Sequence, residues 1–81
     1  MEKTTVVGVD LAKTVFEIAV SEIPGRVSRT QRLPRAKFLS FFKELPAAIV
    51  VMEACGSAHY WAREFEALGH TVVLLPPHLV K

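Results

Sequence analysis

Two carboxylates are the residues of this sequence best placed to do chemistry. Asp10, the only aspartate in the chain, directly follows the apolar stretch 6–9, and Glu53 directly follows the apolar stretch 49–52. Each acid therefore ends a segment with the composition of a buried β-strand. If these strands are parallel neighbours, their backbones are about 4.8 Å apart. Both acids then lie at the carboxyl-terminal edge of the sheet, where α/β sheets bind ligands.

A divalent cation is the natural occupant of such a pair, because two close carboxylates repel each other unless a proton or a cation lies between them. Mg²⁺ or Mn²⁺ suits oxygen ligands and often combines one or two protein carboxylates with a substrate phosphate. Asp10 and Glu53 thus predict a metal site for attack on a phosphodiester. Acids also occur where strands leave the core or precede a helix, so a purely structural role stays open.

The elements that would position these acids form one α/β domain over residues 1–81, with the chain order β-β-β-α-β-α-β. Strands are expected at 4–10, 15–21, 26–33, 48–53 and 71–75. One helix is expected to begin at Pro34 and end at Pro46, and a second to begin after Ser57 and end at Gly69. Both helices carry apolar residues at helical spacing.

Topology rules predict how these strands are arranged in a sheet. Two short loops make the first three strands an antiparallel meander, so the third strand runs parallel to the first. A right-handed helical crossover then leads to the fourth strand. With the arginine-rich third strand at an edge, the predicted order is 3-2-1-4-5, a mixed five-stranded sheet. The near-continuous apolar run of the fourth strand predicts that both faces of the sheet are covered.

Basic residues are concentrated in one segment. Six of the ten lysines and arginines lie between Glu22 and Glu44 with no acid among them, although the formal net charge is only +2. These residues are Arg26, Arg29, Arg32, Arg35, Lys37 and Lys43. The segment could follow a phosphate backbone, or it could be a solvated edge strand that charge protects from aggregation.

The composition excludes several classes of protein. A chain that is 51% hydrophobic is not a disordered tail, and its apolar runs are too short for a transmembrane helix. The N-terminus lacks the pattern of a signal peptide, so the cytoplasm is the expected location. The single cysteine, Cys55, excludes an internal disulfide and is expected to be a small buried residue.

Three blocks of the sequence, in their order and spacing, resemble the insertion-sequence-110 type transposases. The blocks are residues 7–20, residues 51–61 and residues 74–81, with Pro76 where that family usually has asparagine. The resemblance implies a RuvC-like N-terminal domain with a ribonuclease H fold and a DEDD active site. Asp10 matches the first acid of that site and Glu53 the second. The third and fourth acids lie beyond the third block in the family, and therefore beyond Lys81.

The resemblance also implies a function in DNA recombination and transposition of a mobile element, with Mg²⁺ or Mn²⁺ as cofactor. The chain would be a fragment that is inactive alone. DNA is the expected partner, with a guide RNA and a homo-oligomer of the full-length protein as further expectations and no membrane. Lys13, Arg26, Arg29 and Arg32 are the candidate contacts to nucleic acid.

Two alternatives stay open. Residues 9–14 also look like the first phosphate motif of actin-like ATPases and sugar kinases, although Ala12 stands where that motif has a glycine that lets the backbone approach phosphate. A non-catalytic assembly module is the other alternative, because so small an α/β domain leaves apolar surface that could dock a partner.

Overall fold

A computed structural model describes residues 5–11, 15–22 and 26–76 of the 81-residue chain. The elements are β1 (Val6–Asp10), β2 (Val15–Ser21), β3 (Arg29–Pro34), α1 (Arg35–Glu44), β4 (Ile49–Glu53), α2 (Ala58–Ala67) and β5 (Thr71–Leu75). The predicted order β-β-β-α-β-α-β is confirmed.

The five strands form one sheet in the order β3-β2-β1-β4-β5. β1 pairs antiparallel with β2 and parallel with β4, while β3 and β5 extend the sheet on either side. The predicted mixed sheet is therefore confirmed, and its order is the one expected of a ribonuclease H-like domain. The short connections of the meander leave only one free side of β1, and β4 takes it.

Both helices pack on the same side of the sheet, here called the covered face. Their aromatic side chains meet alternate strand residues, and the Phe16 ring contacts Phe38 edge to face with ring centroids 4.2 Å apart. Trp61 lies 5.5 Å from Phe16 and 5.0 Å from Phe38. Such edge-to-face pairs add to the free energy gained by burying apolar area. The helical spacing read from the sequence thus identified the core side of both helices.

The opposite side, here called the open face, has no buried residue in the part of the chain that the structure describes. Val51 is half-buried there, and Val73 is 40% exposed. The expectation that both faces are covered is wrong for these residues. The reason is topological: the crossovers from β3 to β4 and from β4 to β5 advance in the same direction, so right-handed connections place both helices on one face.

The start of α1 differs slightly from the prediction. Pro34 is the last residue of β3 and the N-cap of α1, with extended backbone (φ −65°, ψ 154°), so the helix begins at Arg35. Proline is tolerated there because β3 is an edge strand. β3 itself begins three residues later than expected. Gly69, with φ +95°, lies just beyond the C-cap of α2 in the left-handed region that favours glycine, as predicted.

The turn between β4 and α2 corrects a second expectation. Cys55 is exposed rather than buried, because the chain leaves the sheet there and its carbonyl accepts a hydrogen bond from the Ala58 N–H at 3.0 Å. Ser57 occupies the N-cap position, as expected, but its backbone is helical and its side chain makes no capping hydrogen bond. The turn is closed by backbone groups alone.

His70 connects three elements from within the core. Its Nε2–H donates to the Phe42 carbonyl at 2.7 Å, and its Nδ1 accepts from the Ala48 N–H at 3.1 Å. The Ala48 carbonyl in turn accepts from the Thr71 N–H at 3.0 Å. The neutral imidazole thus joins α1 to the starts of β4 and β5 and satisfies two backbone groups that no strand or helix pairs.

Replacement of this imidazole tests its contribution to stability. His70→Ala should lower the free energy of unfolding by about 2–4 kcal/mol, because it leaves a buried amide and a buried carbonyl unpaired. Urea unfolding followed by Trp61 fluorescence measures the change. The control is His59→Ala, since His59 is exposed on α2 and its loss should change the free energy by less than about 0.5 kcal/mol. Equal effects of the two substitutions would contradict the assignment.

Candidate functional site

Asp10 and Glu53 end neighbouring parallel strands at the same edge of the sheet. The register of β1 and β4 pairs Val7 with Val50 and Val9 with Met52, so the next positions along the two strands are Asp10 and Glu53. Parallel neighbours are separated by about 4.8 Å, and the acids are therefore adjacent across one strand spacing. The structure brings together the two residues on which the sequence argument depended.

The alternation of side chains places both acids on the open face. Val9 and Met52, the preceding residues, are buried on the covered face, so Asp10 and Glu53 project to the other side. Both acids are exposed and line the same shallow depression of the sheet surface. Water and dissolved ions therefore reach both carboxylates directly.

Two further charged residues lie in line with the acids. Asp10 is paired across the sheet with Glu17 of β2, and Glu17 is paired with Arg32 of β3. The four residues Arg32, Glu17, Asp10 and Glu53 occupy consecutive cross-strand positions on the open face and are called the charged row below. The Arg32 Nε–H donates to Glu17 Oε2 at 2.8 Å.

Glu17 is the member of the charged row that the sequence analysis missed. The face on which Glu17 lies could be predicted, because Phe16 and Ile18 are core residues of β2. Side chains alternate between the two faces of a strand, which assigns Glu17 to the opposite face. Its alignment with Asp10 depends on the hairpin register, which the sequence alone does not supply. The row contains three carboxylates and one guanidinium, so its formal charge is −2.

The candidate nucleic-acid contacts that the structure describes lie at different places on the sheet. Arg32 is on the open face, whereas Arg29, also exposed, has the strand position of the covered face. Arg26 is exposed and precedes β3, and Lys13 lies outside the described residues. The Arg35 guanidinium, on the helix side, lies 5.5 Å from the Trp61 ring centroid. The basic segment is thus divided between the two sides of the sheet.

Asp10 and Glu53 supply two ligands, which is not a complete set. In residues 5–11, 15–22 and 26–76, no group of three or more histidine, cysteine, aspartate or glutamate side chains is arranged to hold a metal ion. Exposed carboxylate oxygens are nevertheless the donors that Mg²⁺ and Mn²⁺ prefer, and these ions commonly keep several waters. The pair fits a partial ligand set for a hard divalent cation.

Comparison with known proteins finds relatives that are named as transposases. The chain is 51% identical over 75 residues to a probable family 20 transposase of Pseudomonas aeruginosa, covering 93% of this chain and 22% of that protein. The chain is similar to transposases. It is also 40% identical over 81 residues to the transposase for insertion sequence element IS1111A of Coxiella burnetii, covering all of this chain and 22% of that protein.

A further relative is the transposase for insertion sequence element IS1328 of Yersinia enterocolitica, 37% identical over 81 residues that make up 24% of that protein. The chain thus spans less than a quarter of the length of these curated relatives. No protein-family model matches the chain. No solved structure matches it either. Neither described helix has the length and apolar character needed to cross a membrane.

Repulsion within the charged row gives a stability prediction. Asp10→Asn should raise the free energy of unfolding by about 0.2–1 kcal/mol in metal-free buffer, because like charges directly opposite each other destabilise a strand pair. Added NaCl should stabilise the unsubstituted chain more than the variant, since salt screens the repulsion. Urea unfolding at low and high salt measures both effects.

Glu22→Gln is the matched control for this substitution. Glu22 is exposed and follows β2 at the end remote from the charged row, so its replacement removes one acid without touching the row. It should leave both the free energy of unfolding and its salt dependence close to those of the unsubstituted chain. If Asp10→Asn behaves like this control, the carboxylates of the row do not interact.

Proposed function

We propose that this chain is part of a transposase, in which Asp10 and Glu53 bind a divalent cation, Mg²⁺ or Mn²⁺, for phosphoryl transfer on DNA. The observation that carries the proposal is the placement of the two acids at adjacent carboxyl ends of β1 and β4, on one face of the sheet. The similarity of the whole chain to segments of named transposases supports the same conclusion.

Each residue has a role that follows from its position. The Asp10 and Glu53 carboxylates would hold the cation at the exposed edge of the sheet, where a phosphodiester can reach it. A bound cation supplies Lewis acidity at the phosphate and lowers the pKa of a bound water or hydroxyl. The apolar strands behind the acids fix the separation of their backbones, so that little reorganisation accompanies binding.

The remaining parts of the site would come from the rest of a longer protein. The relatives are more than four times the length of this chain, and the described residues contribute only two of the acids that a DEDD site requires. We therefore propose a RuvC-like catalytic domain that is inactive when reduced to these 81 residues. The family resemblance alone suggests a guide RNA, a homo-oligomer and the cytoplasm as location.

The transposase proposal is preferred to the two alternatives. The relatives reported above are named transposases, which favours DNA chemistry over an actin-like ATPase or a sugar kinase. An assembly module would give no reason for Asp10 and Glu53 to lie side by side, since repulsion between them opposes folding unless a cation is bound. The acid pair is the feature that the transposase proposal explains and the assembly module does not.

Paramagnetic Mn²⁺ tests the metal site without any need for activity. Titration of the isotopically labelled chain should broaden the amide signals around residues 10 and 53 first, with affinity on the order of millimolar because most of the ion's hydration shell is kept. Asp10→Asn and Glu53→Gln should each weaken this local broadening at least about tenfold, since either variant leaves one carboxylate of the pair.

Glu22→Gln again serves as the control and should leave the broadening unchanged. Excess Mg²⁺ should displace Mn²⁺ and restore the signals, because both ions use the same oxygen ligands. Broadening that is uniform over all exposed acids, or that survives both site variants, would contradict the proposed metal site.

A further inference from the structure

We infer that Arg32, held in place by Glu17, anchors a backbone phosphate of the nucleic acid on which the acid pair acts. The inference rests on the proposed function. It assigns phosphate binding to Arg32 in particular rather than to the basic segment as a whole. Glu17 is a positioning residue in this scheme, because it acts through the arginine.

The position of Arg32 follows from the register of three strands. Arg32 is opposite Glu17, which is opposite Asp10, so Arg32 lies two strand spacings, about 10 Å, from Asp10 along the charged row. The axial rise is about 3.4 Å per nucleotide and successive phosphates of one strand are further apart than that, so this separation corresponds to at most about three nucleotides. One strand of nucleic acid can therefore contact Arg32 while a nearby phosphodiester lies over the acid pair.

The hydrogen bonding of Arg32 leaves its phosphate-binding donors available. The Nε–H is used by Glu17 Oε2, and the two terminal nitrogens, which carry four of the five guanidinium donors, have no partner among the described residues. The Arg32 side chain is 76% exposed. A guanidinium with its terminal nitrogens free can bind two oxygens of one phosphate in a planar, bidentate arrangement.

The charges of the open face favour a phosphate contact at Arg32. Three carboxylates on the open face repel a phosphodiester, and Arg32 is the one cationic side chain in the charged row. A cation at Asp10 and Glu53 would offset two of the acids, and Arg32 offsets the third, Glu17. The contact between Glu17 and Arg32 also restricts the guanidinium before binding, which reduces the side-chain entropy lost when phosphate is bound.

The test compares two arginines of the same strand. Fluorescence anisotropy of a short labelled DNA duplex, and of an RNA duplex of the same sequence, measures binding to the chain in metal-free buffer. Arg32→Gln should weaken binding about three- to tenfold and lower the slope of log K against log salt by about 1, as expected for the loss of one phosphate contact. Arg29→Gln removes the same charge on the other side of the strand and should have less than half that effect on the slope.

The positioning role of Glu17 has a separate readout. If Glu17 only repels nucleic acid, Glu17→Ala and Glu17→Gln should tighten binding equally, since both remove one negative charge. If Glu17 orients Arg32, the Gln variant should bind more tightly than the Ala variant, because its amide oxygen still accepts from the Arg32 Nε–H. The difference should disappear when Arg32 is also replaced by Gln.

The outcomes separate this inference from the proposed function. Equal effects of Arg32→Gln and Arg29→Gln on both duplexes would overturn the anchor, and equal affinities of the two Glu17 variants would overturn the positioning role. A larger effect on the DNA duplex or on the RNA duplex identifies which phosphodiester is bound. Failure of the metal site appears independently, as loss of local Mn²⁺ broadening, because the anisotropy measurement contains no metal. An exposed ion pair contributes little to stability, so these variants should fold.

Discussion

The handedness of the two helical crossovers determines which face of the sheet the helices cover and which face stays open. A parallel strand reached through a helix is joined to its predecessor in a right-handed sense, and here both such connections advance in the same direction across the sheet. Both helices therefore cover one face. The aromatic core forms beneath them, and the opposite face is left to charged and half-buried residues. The location of the candidate site on the open face is a consequence of this constraint.

The period of the β-strand links the core to the site. Val9 and Met52 must lie on the covered face to join the core, and the next residues, Asp10 and Glu53, must then lie on the open face. A slip of one residue in either strand would exchange the faces and place a carboxylate in the core. The apolar packing that fixes the register of β1 and β4 therefore also keeps the acids together.

Sequence reasoning could predict those features that follow from periodicity and chain topology. The order of strands, the core stripes of both helices and the adjacency of Asp10 and Glu53 all follow from such rules. Applied to both crossovers, the same handedness rule places both helices on one face, contrary to the two covered faces expected from the apolar run of β4. The bridging role of His70 could not be predicted, because its partners Phe42 and Ala48 are brought to it only by the assembled fold. The exposure of Cys55 depends likewise on the path of a turn that has no periodicity.

The separation of core and site has a consequence for how such a domain can work. The acids are exposed, so the fold does not bury their charge. The aromatic cluster on the other face, with Phe16, Phe38 and Trp61 in contact, contributes to the stability of the domain. Charge on the open face can then be arranged for phosphate and cation with little effect on the core. A site built in this way is open to completion by ligands from other parts of a longer protein.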